Sequence, residues 1–342
     1  MVIVFNLFMG TYMALKSFSA SAPGTLMLLG EHAVLNNKPA IVLAIDKRIT
    51  VTLHVSHASI SNAPKILITS NLGRIECNLN EIKNLSNQKP FQFVFVAIKF
   101  FKKELKIRNQ GFELIIDSEF SPNCGLGSSA AVTVALVAVL LQFLSKSTEM
   151  LFEISREIIR EVQGVGSGAD VAASVYGGVI VYQQQSPYII KKLDCVLPLV
   201  VIYSGSKTPT PVVIKKVEML QNKYPDVINT LYDAMEHAVN RASVFIENKD
   251  WAGLGEVMNI QQGVMNALGV GTPVLNQLID SLTSTPGIYG AKISGSGLGD
   301  CVIAIGSNEY VGADRGNRPF EQQENGIQKI PLSVSLQGVH YG

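Results

Sequence analysis

The chain has 342 residues, of which 47% are hydrophobic and 16% are charged. This composition predicts one large or two ordinary globular domains with a substantial core, and it excludes a disordered polymer. Lys and Arg number 28 against 27 Asp and Glu, which gives a formal net charge of +1. A nucleic-acid-binding or membrane-surface protein is disfavoured, because such proteins normally carry a basic excess. A small anionic substrate stays compatible with locally placed charges.

The cysteines and the apolar runs indicate the cellular location and bear on whether a zinc site or a membrane span is expected. The four cysteines (Cys77, Cys124, Cys195 and Cys301) are far apart and form no C-x-x-C pair, so no zinc site is expected. Scattered cysteines without a disulfide pattern predict a cytoplasmic protein. Residues 1–12 are apolar but lack a preceding basic segment, and we expect them to form a loose extension. They and residues 130–144 are too short to span a bilayer, which takes about 20 residues.

The periodicity of apolar residues predicts the elements in chain order. Short β-branched or apolar runs predict strands at residues 25–29, 40–45, 49–55, 65–69 and 112–116, and helices are predicted at 91–105, 130–144 and 149–162. After a polar segment at 183–192, the pattern predicts a strand at 197–203, helices at 211–220, 227–246, 251–268 and 274–282, strands at 291–293 and 301–305, a polar surface loop at 311–326, and a last strand within 327–339.

The order of these elements is not a regular strand–helix alternation. A doubly wound parallel sheet is therefore disfavoured, and an α+β fold in two lobes is predicted. We place the boundary near residue 190, with an N-terminal nucleotide-binding lobe at 13–190 and a C-terminal lobe at 191–342.

A glycine-rich turn, Gly125-Leu126-Gly127-Ser128-Ser129-Ala130, precedes the apolar helix. Glycines allow successive backbone N–H groups to turn toward one anion, and the positive end of the following helix adds to the attraction. The simple alternative is a serine-capped turn before a buried helix. A dinucleotide-binding loop is disfavoured because residues 118–124 separate the glycines from the preceding strand. A Walker A loop is excluded because the chain has no Gly-Lys dipeptide.

Two further segments carry polar residues at strand ends. Gly30-Glu31-His32 follows the first strand and, taken alone, is typical of a surface turn. Residues 294–300, Ser-Gly-Ser-Gly-Leu-Gly-Asp, lie between two apolar strands. A two-residue hairpin turn would have joined those strands, so the longer glycine loop indicates close approach of the backbone to a ligand.

Together and in this order, the three segments resemble the three motifs of the GHMP kinases over residues 19–305. Within that superfamily, Gly30-Glu31-His32-Ala33-Val34 and Leu254-Gly255-Glu256 resemble the mevalonate kinase family. Ser167-Gly168-Ala169-Asp170 resembles the loop that carries its catalytic aspartate. The resemblance implies an N-terminal lobe with a left-handed β-α-β unit, a ferredoxin-like C-terminal lobe and an active site between them.

The resemblance also implies ATP and Mg²⁺ as cofactors, mevalonate as substrate and a homodimer. Asp170 would act as the general base. The ATP phosphates would be bound by Pro122, Gly125, Leu126, Gly127, Ser128, Ser129 and Ala130, with Ser129 also binding Mg²⁺. The substrate would be bound by Glu31, His32, Thr210, Gly295, Ser296 and Gly297.

The chain departs from the family pattern at two positions. Thr25 stands where the first motif normally has a lysine, and we hypothesise that Lys207 or Lys292 supplies that charge. Ile159 stands where the family places a second Mg²⁺ ligand, a glutamate. Glu157 and Glu161 lie two residues to either side, and we interpret both as ordinary charged helix residues.

Two alternatives stay open. Gly299-Asp300-Cys301 resembles phosphomevalonate kinase as much as mevalonate kinase, whereas His32 favours the latter. A ligand-binding protein without catalysis is the other alternative, because Thr25 and Ile159 depart from the pattern. The retention of Ser129 and Asp170 argues against it.

Overall fold

A computed structural model describes residues 16–56, 64–185, 187–307 and 326–342. The expected extension at residues 1–12 and nearly all of the predicted loop at 311–326 lie outside the described residues. Two separate β-sheets, each covered by helices, form two lobes, as the α+β prediction requires. No helix in the described part of the chain is long and apolar enough to cross a membrane.

The strands are β1 (Ser17–Leu29), β2 (Ala40–Val55), β3 (Lys65–Ser70), β4 (Gly73–Asn78), β5 (Phe112–Ser118), β6 (Val179–Gln183), β7 (Ile189–Leu193), β8 (Leu199–Tyr203), β9 (Ile288–Ser294), β10 (Cys301–Gly306), β11 (Gln328–Lys329) and β12 (His340–Tyr341). The α-helices are α1 (Ile82–Leu85), α2 (Gln92–Phe100), α3 (Lys102–Arg108), α4 (Ser128–Phe143), α5 (Leu151–Gln163), α6 (Ala169–Tyr176), α7 (Thr210–Lys223), α8 (Pro225–Glu247), α9 (Trp251–Ala267) and α10 (Pro273–Thr283). Short 3₁₀ helices lie at Ala33–Asn36 and Thr148–Met150.

The first sheet has the order β12-β1-β2-β5-β3-β4, with β6 paired to β2 and β7 paired to β6. The long strand β2 joins these parts, because its first half pairs with β6 and its second half with β5. The two predicted strands at 40–45 and 49–55 are thus one continuous strand. Apart from the parallel pair β3–β5, the pairings in the described residues are antiparallel.

Helix α4 is the centre of the first lobe. Its side chains from Ala130 onward are buried, except those of Val132 and Gln142. A helix that is apolar on all sides belongs in a core, and α4 packs against β1, β2, α5 and α6. This packing fixes the position of the glycine loop that leads into the helix.

Strand β1 is irregular where it passes this loop, with a register shift between Pro23 and Thr25. A Cβ atom on Gly24 would lie 2.7 Å from the carbonyl oxygen of Leu126. The missing side chain therefore lets the two backbones approach, and the Thr25 N–H donates to that oxygen at 3.0 Å. The bulge places the side chain of Thr25 beside the glycine loop.

The second sheet has the antiparallel order β11-β8-β10-β9. Helices α9 and α10 pack on β9, and α8 packs on α9. Residues of α8, α9 and β10, among them Ala238, Leu254 and Ile303, belong to the same apolar cluster as β1 and β2. The two lobes therefore share a core along their contact, and this contact sets the distance across the cleft between them.

The division between the lobes is less simple than a boundary near residue 190. Strand β7 spans that position and pairs with β6 in the first sheet, and β12 returns from the C-terminal segment to pair with β1. Four of the five β7 residues are exposed or half-buried, because β7 lies at an edge of the sheet. Its polar composition therefore led to the prediction of a domain boundary near residue 190 and not of a strand.

Other differences from the prediction are local. The helix predicted at 91–105 is interrupted at Phe101, between α2 and α3. Strands β4 and β6 were not predicted. Within the segment 327–339, the strand is limited to the two residues of β11.

Candidate active site

A pocket opens between the lobes where three glycine loops meet: the first at residues 30–32, the second at residues 125–130 and the third at residues 294–300. Most predicted site residues line it: Glu31, His32, Gly125, Gly127, Ser128, Ser129, Ala130, Asp170, Thr210, Gly295 and Ser296. Three lie outside the lining and have other contacts. The carbonyl of Pro122 accepts a hydrogen bond from Lys207, Leu126 is buried and bonded to Thr25, and Gly297 packs on Val270.

The glycine loop presents an open helix end to this pocket. Gly125 and Gly127 have φ values of +69° and +65°, which favour glycine. A Cβ atom on Gly127 would lie 1.8 Å from the Thr25 hydroxyl, so a side chain is excluded there. No side chain caps the N-terminus of α4. The backbone N–H groups of its first turn are therefore available to an anion, beside the hydroxyls of Ser128 and Ser129.

Asp170 lies in the first turn of α6, across the pocket from this helix end. The hydroxyl of Thr25 donates to its Oδ1 at 2.8 Å. Removal from solvent raises the pKa of Asp170, while the Thr25 hydrogen bond and the positive charge of Lys207 oppose the rise. Thr25 thus orients the carboxylate in a place where the family pattern has a lysine.

The loop before α6 is held from the other side. The carbonyl of Ser167 accepts hydrogen bonds from the Tyr182 hydroxyl at 2.6 Å and from Arg156 Nε at 3.2 Å. A Cβ atom on Gly168 would lie 2.9 Å from the same Tyr182 hydroxyl. These contacts fix the backbone that carries Asp170.

The structure separates the two lysines that were hypothesised to compensate for Thr25. Lys292 is fully buried and donates to Glu31 Oε1 at 2.5 Å. Lys207 lines the pocket, and its Nζ donates to the Pro122 carbonyl at 2.9 Å. Lys207 is therefore the lysine of the two that is placed to face phosphates.

Glu31 joins the two lobes. Its carboxylate accepts hydrogen bonds from Lys292 on β9 and from Gln261 on α9. Burial raises the pKa of Glu31 and lowers the pKa of Lys292, and the attraction between the two charges opposes both shifts. Although Glu31 lines the pocket, its carboxylate oxygens are already engaged by the second lobe.

His32 fixes the third glycine loop. Its Nε2 lies 2.9 Å from the carbonyl oxygen of Ser296. Burial lowers the pKa of His32, so the neutral ring donates to that oxygen. The backbone of His32 has φ 60° and ψ −50°, a strained conformation for a residue with a side chain. Ser296 Oγ has no hydrogen-bond partner among the described residues, which leaves a buried hydroxyl beside the pocket.

Asp300 is a pocket residue that was not selected from the sequence. It lies at the end of the third loop, lines the pocket and is 5% exposed. Burial raises its pKa to about 6, with a smaller contribution from the charge of Asp170 and an opposing one from Lys207. The signal in the sequence was an acidic residue within a glycine loop, where Asp is also a common turn former.

The lining of the pocket suits Mg²⁺ bound together with phosphates. Magnesium is usually held by one or two carboxylates plus substrate phosphates and waters. No cluster of three or more His, Cys, Asp or Glu side chains suited to a metal occurs in the described residues. The hydroxyl of Ser129 and the carboxylates of Asp170 and Asp300 face the same pocket. They provide hard oxygen donors of the required kind.

Ile159 lines the pocket, so the position of the family's metal-binding glutamate carries an apolar side chain. The neighbouring glutamates lie on the surface, where Glu157 is exposed and Glu161 pairs with Lys99 at 2.6 Å. Both lie on helix α5 and outside the lining of the pocket, as expected of ordinary charged helix residues.

Comparisons with known proteins agree with this geometry. The family model described as GHMP kinases N terminal domain matches residues 92–178, and that of the GHMP kinases C terminal matches residues 242–315. Mevalonate kinase of Pyrococcus furiosus is 33% identical over 306 residues, which cover 85% of this chain and 89% of that protein.

Solved structures share the fold. Mevalonate kinase of L. major in complex with R-mevalonate has a TM-score of 0.70 at 22% identity, covering 92% of this chain and 94% of that chain. Phosphomevalonate kinase of Streptococcus pneumoniae, in complex with phosphomevalonate and AMPPNP, has a TM-score of 0.70 at 18% identity, covering 92% and 98%. The fold is common to both kinds of enzyme, whereas the identity to the Pyrococcus protein distinguishes between them. The chain belongs to the mevalonate kinase family of the GHMP kinases.

Proposed function

We propose that this protein transfers the γ-phosphoryl group of ATP to the primary hydroxyl of mevalonate, giving 5-phosphomevalonate and ADP. The observation that carries the proposal is the placement of Asp170, fixed by Thr25, in one pocket with the open N-terminus of α4. A helix end suited to phosphates and a carboxylate on the opposite side of the pocket are two parts that suit phosphoryl transfer to an alcohol.

In this proposal the amides of residues 125–130 and the Ser128 and Ser129 hydroxyls bind the triphosphate. Lys207 adds positive charge from the second lobe. The substrate lies against His32, Thr210, Gly295 and Ser296, where the unpartnered Ser296 hydroxyl is available to it. The engaged carboxylate of Glu31 orients this wall of the pocket through the second lobe.

Asp170 accepts the proton of the substrate hydroxyl as its oxygen forms a bond to the γ-phosphorus and the bond to the β-phosphate oxygen breaks. The third loop and the start of α4 hold the reacting groups in line. Mg²⁺ at Ser129 would supply charge neutralisation on the phosphates. The loose transition state asks mainly for alignment and neutralisation, which fits a site without a covalent nucleophile.

The substrate assignment is tested with purified protein, ATP and Mg²⁺ supplied with mevalonate or phosphomevalonate in parallel. We expect ADP release and a new phosphorus resonance of a primary phosphate ester with mevalonate. Turnover with phosphomevalonate alone would identify the sister activity, which the segment Gly299-Asp300-Cys301 resembles as much as it resembles mevalonate kinase. Nucleotide binding without ADP release from either alcohol would favour a non-catalytic protein.

The proposal also covers the cellular setting and the assembly of the protein. The four cysteines are free, which is consistent with a cytoplasmic location. The homodimer is supported by the family resemblance, and light scattering of the purified protein tests it.

A further inference from the structure

Asp300 lies between residues 125–130 and the rest of the third glycine loop, and backbone hydrogen bonds hold it there. Its N–H donates to the Ser206 carbonyl at 2.8 Å, and its carbonyl accepts from the Ser204 N–H at 2.9 Å. Its backbone is left-handed, with φ 66°, a conformation that Asp tolerates better than most residues. This backbone geometry determines where the carboxylate points.

The carboxylate lies against the phosphate-binding loop. A Cβ atom on Gly125 would lie 2.8 Å from Asp300 Cβ and 2.9 Å from its Oδ1. On the other side, a Cβ atom on Gly295 would lie 3.6 Å from Oδ2. Glycine at both positions therefore leaves room for an acidic side chain between the two loops.

The Oδ1 atom of Asp300 is buried and has no hydrogen-bond partner among the described residues. Lys207 lies nearby, but no ion pair within 4.0 Å joins it to Asp300 in that part of the chain. Leaving a buried acceptor unpaired costs about 1–3 kcal/mol, and more for a charged group. A ligand that satisfies Oδ1 would remove this cost.

The chemistry of the pocket limits what that ligand is. A bare phosphate oxygen would be repelled by a carboxylate, whereas a divalent cation attracts both. The family position for an acidic metal ligand is Ile159, which lines the pocket and offers no oxygen. Compared with the family pattern, α5 thus lacks an acidic side chain at Ile159, and the third loop provides one at Asp300.

We propose that Asp300 is a ligand of the nucleotide-bound divalent metal ion in this chain, in place of a carboxylate at Ile159. The proposal rests on the proposed function only in that the pocket binds ATP with a metal. It does not depend on which alcohol accepts the phosphoryl group. Ser129, at the start of α4, would provide the second protein oxygen.

The test measures metal binding directly. Mn²⁺ is titrated into protein with AMPPNP, and free Mn²⁺ is followed by electron paramagnetic resonance. We expect Asp300→Asn to weaken Mn²⁺ binding by at least about 10–100-fold, because that is the loss when a site loses a group that only supports a metal ligand. Asp117→Asn, at an exposed carboxylate on β5, should leave it unchanged. Asparagine also adopts the left-handed backbone, and thermal melting checks that the variant is folded.

A second titration, of AMPPNP in excess chelator, distinguishes a metal ligand from a residue that acts on the nucleotide. For a metal ligand, Asp300→Asn leaves metal-free binding unchanged or tighter, because a negative charge near the phosphates is gone. Equal losses in both titrations, or unchanged Mn²⁺ binding, would overturn the proposal. In Asp300→Asn/Ile159→Glu we expect Mn²⁺ affinity to return, and no recovery would show that the two positions do not serve the same ion.

Discussion

Glu31 and Asp300 are both buried carboxylates at the junction of the lobes, and their surroundings differ. Glu31 is engaged by Lys292 and Gln261, whereas Asp300 Oδ1 has no partner among the described residues. A buried charge that the protein satisfies itself acts on the fold. A buried charge left open at a pocket wall depends on a ligand. The contrast gives a criterion for the polar residues of this cleft. Those whose polar atoms are satisfied by the protein stabilise the fold, and those left without a partner bind ligands.

The largest effect on activity is expected for Asp170→Asn, because Asp170 faces the pocket and is assigned to the reaction and not to the stability of the fold. We expect kcat to fall by about 10²–10⁴-fold, the usual contribution of a positioned general base. The midpoint of thermal unfolding should change little. Steady-state kinetics with a coupled ADP assay measures the effect, with Asp117→Asn as the exposed control. Activity within threefold of wild type would remove Asp170 from its assigned role.

Glu31→Gln tests the structural side. It leaves Lys292 buried without its counter-charge, so we expect a loss of about 3–5 kcal/mol in the free energy of unfolding. The double variant Glu31→Gln/Lys292→Met should recover much of this loss. Urea denaturation measures the difference.

The matched control for that pair is Lys191→Met, which breaks the exposed pair with Glu247. Exposed pairs contribute about 0–1 kcal/mol. A Glu31→Gln variant as stable as this control would show that the buried pair does not join the lobes.

Lys207→Met sharpens the contrast between the two lysines. Loss of a positive charge facing the phosphates should lower kcat/KM for ATP by about 10²-fold, in the range for one lost electrostatic donor. Lys216→Met is the control, because Lys216 is likewise exposed and donates to a backbone carbonyl, that of Gly269, but lies outside the pocket. Equal kinetics in the two variants would show that Lys207 does not supply the positive charge that is missing at Thr25.

Thr25→Val has the smallest expected effect and reports on the pKa of Asp170. The hydrogen bond from Thr25 lowers that pKa, so its removal raises it. Because the base works ionised, activity should be lost at a higher pH as the pH falls. Each unit by which this acid limb moves corresponds to about 1.4 kcal/mol of lost interaction with the carboxylate. Profiles of kcat against pH measure this shift, with Thr52→Val as the control. An acid limb at the same pH as in the wild type would contradict the hydrogen bond from Thr25 to Asp170.

Local patterns in the sequence were sufficient to predict the elements whose apolar residues recur with a regular period. The apolar run of α4 and the helices α8 to α10 were predicted within a few residues, since their periodicity survives packing. Strand β7 was missed, because an edge strand exposes residues on both faces and its period disappears. The glycine loops were recognised because all three occur together and in the order of the family motifs, although each alone is compatible with an ordinary turn.

The pairings across the cleft were not predictable. Thr25 and Asp170 are 145 positions apart, and Glu31 and Lys292 are 261 apart. No local rule relates such residues, and tertiary contact alone decides that Lys292 is buried and Lys207 faces the pocket. The chemistry of Asp300 was hidden for a similar reason, since an aspartate in a turn is usually there for the turn.

The pairing of β12 with β1 has a consequence for how the chain comes to be folded. β1 is made early by the ribosome, and its outer partner follows only after the whole second lobe. Until β12 is made, Ala20 and Ser21 on the outer edge of β1 lack this partner, and an unpaired strand edge is a template for pairing with other chains. The return of residues 340 and 341 covers this part of the edge, so a chain shortened to lack them would offer more strand edge to other copies.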